Sequence, residues 1–160
     1  MTFPASVCKH APMHIMNHMG QCVADLERSR AFYEQALGFE YWRELDLDDE
    51  PTNRLLRLTP PLGFTACYLR MGPFVLELLH FAGSGAAPGP FRPRTMNELG
   101  ITHISLSVDD IPATCALVEQ HGGEVLTDTD IGGGLFVRDP DGQLIEILPM
   151  AYAERVAAEG

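Results

Sequence analysis

At 160 residues and 46% hydrophobic content the chain is long enough to bury a core, and its length favours one compact unit. A formal charge of −11, from 22 acidic residues against 11 Lys plus Arg, would repel nucleic-acid phosphates and anionic membrane surfaces, which leaves small molecules and metal cations as the expected partners. No apolar stretch approaches the about 20 residues of a membrane span, and the N-terminal residues hold no continuous apolar segment of the signal-peptide kind, so a cytoplasmic protein is expected.

Residues 1–14, with Cys8, His10 and His14, read as an exposed extension, and residues 15–82 as a first structural module. His18 opens a strand on which alternation puts Gly20 and Cys22 on its own face, small residues that leave room beside the imidazole. Asp25 suits a helix N-cap, and Leu26, Phe32, Tyr33, Ala36 and Leu37 make an apolar stripe that runs to a stop at Gly38. Extended runs are expected at 54–58, 64–70 and 74–79, with hairpin chemistry at Met71-Gly72-Pro73. The last run holds Glu77 among apolar neighbours, while His80, three places on, faces the opposite way. Residues 83–98, rich in Gly and Pro, read as a linker or a loop over the site, in which Arg92 and Arg94 are expected to be solvated.

The second module, 99–150, repeats the first with a constant shift of 85 (103 − 18). His103 opens its strand and shares a face with Ser105 and Ser107, whereas Ile104, Leu106 and Val108 share the other. Asp110 matches Asp25 as an N-cap, Pro112 is tolerated in the first turn, and Ile111, Cys115 and Val118 form the stripe. His121 closes the helix at Gly122, and Gly132-Gly133-Gly134 reads as a flexible connection. Strands at 134–137 and 143–148 flank the turn Asp139-Pro140-Asp141-Gly142, and the last carries Glu146 among apolar residues. Residues 151–160 are a C-terminal tail. The four cysteines, Cys8, Cys22, Cys67 and Cys115, lack CxxC spacing and read as small hydrophobes. Each half is thus βαβββ, giving an α+β chain.

Each closing strand buries one carboxylate, which costs several kcal/mol or forces protonation unless something compensates it. A divalent cation shared with the two imidazoles would do so. His18, Glu77, His103 and Glu146 form a borderline donor set that suits Ni, Co, Zn, Mn or Fe.

The segments HMGQCVADLERSRAFYEQALGF, VLELL, GITHISLSVDDI and LFVRDPDGQLIEIL resemble the four signature segments of the vicinal oxygen chelate superfamily, over about residues 15 to 150. The resemblance implies a cupped mixed sheet built from two βαβββ modules, with helices on the outer face and one divalent metal ion in the cup. It assigns His18 and His103 to the ligands on each module's first strand and Glu77 and Glu146 to those on each last strand. It also implies a homodimer and a small substrate that presents two adjacent oxygens to the metal. Glyoxalase-like proton transfer, an isomerase or lyase reaction with Glu146 or Glu77 as base, is the first expectation. An Fe(II) extradiol dioxygenase using His18, His103 and Glu146 is the second, and a non-catalytic drug- or metabolite-binding resistance protein the third. Glyoxalase I carries Asn and Trp where this chain has Leu78-Leu79-His80-Phe81, and the epimerases lack the DPDGQLIEI form of the last segment.

Overall fold

Each helix of the repeat starts where an aspartate can satisfy its first amides. A computed structural model of the chain describes residues 14–89, 92 and 95–159. The first module runs through strand β1 (Met19–Val23), helix α1 (Leu26–Gln35), strand β2 (Glu40–Leu47), helix α2 (Asp49–Leu56) and strands β3 (Phe64–Met71) and β4 (Phe74–Phe81). The second comprises β5 (His103–Val108), α3 (Ile111–Gln120), β6 (Glu124–Leu126), β7 (Leu135–Arg138), β8 (Leu144–Pro149) and a further helix, α4 (Met150–Glu159), where the sequence led us to expect only a tail. Asp25 accepts from the Arg28 amide and Asp110 from the Ala113 amide, as expected of N-caps. Gly38 and Gly122 follow the two helices at φ 77° and 84°, a left-handed turn that glycine adopts without strain.

The strands form two four-stranded sheets, β1-β4-β3-β2 and β5-β8-β7-β6. In each, the first strand lies parallel to the last and the remaining pairs are antiparallel. The architecture is α+β, two βαβββ modules, as expected. Residues 54–58 depart from the expected strand. Arg54 and Leu55 lie in α2, which ends at Arg57 in a left-handed cap, and the second strand of the module is instead β2. Every β2 residue is exposed, so it lacks the half-buried alternation that would have announced it.

One buried cluster joins the modules: Phe32, Tyr33, Leu76 and Leu78 of the first with Val118, Val137, Ile145 and Ile147 of the second. A second cluster, Leu62, Phe64, Ala66 and Tyr68, lies within the first module. On β3 the alternation divides these sets: Cys67 and Leu69 belong to the shared core, while Ala66 and Tyr68 face the other way.

His80 falls on the opposite face of β4 from Glu77, and His121 is the C-cap of α3, both as expected. His14 is exposed. Arg92 is exposed, as expected, and meets Glu98 at 2.7 Å. Among the described residues Cys22, Cys67 and Cys115 are free thiols, and Cys22 is exposed rather than packed. Cys8, His10 and Arg94 lie outside the described residues. No described helix is long and apolar enough to cross a membrane.

Candidate metal centre

The parallel pairing of first and last strands explains how each histidine finds its glutamate. In the first module Gly20 is the register partner of Glu77, so His18, two residues before it on the same face, projects over that carboxylate. His18 Nε2 lies 3.0 Å from Glu77 Oε2. A Cβ on Gly20 would meet Glu77 Oε2 at 3.5 Å, so the absent side chain leaves space beside the pair. The other carboxylate oxygen, Oε1, accepts a 2.5 Å hydrogen bond from Tyr68, Glu77's partner on β3. Burial, and then the hydrogen bond to Glu77, push the Tyr68 phenol up to about 12, so the phenol is the donor. The His18 and Tyr68 rings meet edge to face at 5.7 Å.

The second module repeats this arrangement with different supports. His103 Nε2 lies 3.7 Å from Glu146 Oε2, and Ser105 Oγ donates to the same oxygen at 2.6 Å. Thr102 Oγ1 lies 2.9 Å from His103 Nδ1, which ties down the far side of the ring and leaves Nε2 towards the carboxylate. Phe136 packs edge-on against the imidazole at 5.3 Å. Glu146 is the more open carboxylate, its side chain 29% exposed against 12% for Glu77.

The four residues therefore come together as two pairs. Among the described residues, no group of three or more His, Cys, Asp or Glu side chains is gathered closely enough to hold a metal ion. The first pair nevertheless has the spacing of two neighbouring metal ligands, and the second, at 3.7 Å, is wider. Two neighbouring ligands on an octahedral ion with bonds of about 2.1 Å stand about 3.0 Å apart, the separation within the His18–Glu77 pair. Imidazole nitrogen with carboxylate oxygen is also the donor chemistry of borderline divalent metals.

The profile of the Glyoxalase/Bleomycin resistance protein/Dioxygenase superfamily matches residues 15–147, from just before His18 to just past Glu146. The chain belongs to this superfamily. A probable lactoylglutathione lyase of Vibrio parahaemolyticus is 31% identical over 133 residues, covering 79% of this chain and 83% of that protein. A probable chloroplastic lactoylglutathione lyase of Arabidopsis thaliana is 29% identical over 142 residues, and the chain spans only 35% of its length. The trypanothione-dependent glyoxalase I of Leishmania major has a similar structure, with a TM-score of 0.66 at 26% identity, covering 92% of this chain and 95% of that one.

Within this superfamily member, Tyr68, Ser105 and Thr102 escaped the sequence reading as supports of the pairs. Alternation does put Ser105 on His103's face and Tyr68 with Phe64 and Ala66. What alternation cannot give is the strand order, which sets Tyr68 beside Glu77.

Proposed function

We propose that the chain is a divalent-metal-dependent lyase or isomerase of glyoxalase type, acting on a small carbonyl compound with adjacent oxygens. The observation that supports this is the repeated His–Glu pairing, His18 with Glu77 and His103 with Glu146, each held by its own hydroxyl donor. Because the pairs stay apart within one chain, the reading includes a homodimer in which the first pair of one protomer meets the second pair of its partner. Together they would hold one ion. Such an ion supplies Lewis acidity towards the two substrate oxygens.

The two glutamates suit different tasks. Glu77 has one oxygen on the Tyr68 hydroxyl and the other against His18, so it is fixed in place. Glu146 is held through Oε2 alone, and its greater exposure gives it access to substrate. Glu146 is accordingly the base: it takes the proton from the carbon next to a carbonyl, and the C–H electron pair moves towards that carbonyl oxygen. It then returns the proton at the former carbonyl carbon, while the hydroxyl proton on the first carbon passes to the other oxygen, so that carbonyl and hydroxyl exchange places without net oxidation. Lactoylglutathione is the first substrate to assay, from the names of the relatives.

The deciding experiment measures metal content by inductively coupled plasma mass spectrometry on the native protein and the Glu146→Ala and His103→Ala variants. About one equivalent of Ni, Co, Zn or Mn per chain, lost in both variants, is expected. Iron would instead favour the extradiol dioxygenase. Failure of native and metal-supplemented protein to hold any ion would overturn the reading in favour of a metal-free binding protein.

A further inference from the structure

Arg43 lies over Tyr68, which supports the first His–Glu pair, and Arg70 stands opposite Glu40 on the neighbouring strand without forming an ion pair with it. The register of β2 with β3 is interrupted between Tyr41 and Arg43, so that Trp42 is an extra residue in the strand. This bulge places Trp42 under two guanidinium groups, Arg43 at 4.4 Å and Arg70 at 3.4 Å from its ring centroid. Arg43 is the register partner of Tyr68 and lies over that ring too, at 4.7 Å. Tyr68 in turn holds Glu77. The row across the sheet is therefore Gly20, Glu77, Tyr68, Arg43, with His18 reaching the Glu77 carboxylate from just before β1.

Among the described residues Arg43 and Arg70, like Arg54, Arg57 and Arg155, form no ion pair, whereas Arg28, Arg30, Arg92 and Arg138 each meet a carboxylate. Stacking occupies a guanidinium by its face. Arg43 also hydrogen-bonds Tyr68, and the N–H donors that remain on the two guanidinium groups are of the kind that takes two oxygens of one oxyanion. Two cations sharing one indole also repel each other until an anion joins them.

We propose that Arg43 and Arg70, stacked on Trp42, form an oxyanion-binding subsite that takes a carboxylate or phosphate arm of the substrate. The substrate class narrows to anionic carbonyl compounds, with the adjacent oxygens at the His18–Glu77 pair and the charged arm towards β2. That assignment of the arm rests on the function proposed above; oxyanion binding itself does not.

Trp42 is the chain's one tryptophan, so intrinsic fluorescence reports on this subsite directly. The full-length protein, as purified and again after dialysis against a chelator, is titrated with phosphoglycolate, inorganic phosphate, glycolate and neutral glycolamide. Saturable change with phosphoglycolate in both preparations is expected, with none for glycolamide; whichever of phosphate and glycolate binds more tightly identifies the arm. Arg43→Gln should weaken binding at least tenfold and Arg70→Gln severalfold, with unchanged circular dichroism. Arg43→Lys, which keeps the charge and loses the fork, should fall between native and Arg43→Gln. The proposal is overturned if Arg43→Gln binds phosphoglycolate within twofold of native, or if glycolamide binds as well as glycolate. Because binding is read on chelator-treated protein, that failure would leave the metal-content result untouched, and a protein that never holds metal could still bind the anion.

Discussion

Tyr33 of the first module donates its hydroxyl to Asp139 of the second at 2.9 Å, inside the core that the two modules share. Gln21 donates to the same carboxylate at 2.6 Å, and the amides of Asp141 and Gln143 donate to its other oxygen. The turn between β7 and β8 is thereby pinned to β1 and α1, a join reinforced by Asp141 on Ser29 and the Ala24 amide. The modules are coupled by a buried carboxylate as well as by apolar contact.

Asp139 should make stability depend on pH in a particular direction. Burial raises its carboxyl above the ordinary 3.8, against the opposing pull of its hydrogen bonds. A carboxyl raised in the folded chain binds more protons there than in the unfolded chain. Its contribution is therefore full below 3.8 and fades as pH rises through the shifted value. Asp139→Asn removes that titration while keeping an acceptor. Urea unfolding at a series of pH values should show the native protein losing ground relative to the variant just above 3.8, with an offset of about 1–2 kcal/mol from rearranged hydrogen bonds. A difference independent of pH would show that Asp139 titrates as it does in the unfolded chain.

Gly123 marks a second close approach between the modules. A Cβ there would stand 2.7 Å from Phe32 Cε2, 2.8 Å from Val118 Cγ1 and 2.5 Å from the Arg138 carbonyl oxygen. Gly123→Ala should cost about 1–3 kcal/mol by overpacking, read as a lower denaturation midpoint with an unchanged slope. Gly72→Ala, in open space at φ 56°, serves as the comparison for backbone strain alone.

Tyr68→Phe tests the support of Glu77. The ring is kept and only the hydroxyl on Glu77 Oε1 is lost, so the fold should be unaffected. Removing such an outer hydrogen bond typically costs 10- to 100-fold in metal affinity, and about that loss is expected by competition with a chelator, with wild-type unfolding behaviour retained. Equal affinity in both proteins would show that the hydroxyl does not orient the carboxylate.

The repeat made most of the architecture legible: a shift of 85 located both helices, their aspartate caps and the two histidines, while Glu77 and Glu146, which that shift does not relate, stood out as lone carboxylates in apolar strands. It failed where the pattern has no physical content. The β2 sequence EYWRELDL is exposed on both faces and so has no period to read, and Arg54-Leu55-Leu56 imitates a strand but lies in the short α2. For the site, alternation gave the facing of each side chain but not the separation of the pairs. That separation depends on how the modules pack through Tyr33, Asp139 and the shared core, contacts more than a hundred residues apart in sequence.

Whether the pairs meet across two protomers can be decided by complementation. Take Glu77→Ala and Glu146→Ala chains, each expected to be inactive alone. If one protomer supplies His18 and Glu77 and its partner His103 and Glu146, a mixed dimer has one site lacking both glutamates and one fully intact site. Random mixing makes half the dimers mixed, each with one good site of two, so about a quarter of native metal capacity and activity should return after unfolding and refolding the two chains together. A site completed within a single chain would give no recovery at any mixing ratio. Refolding each variant separately before mixing controls for folding itself, because recovery should then appear only as fast as protomers exchange.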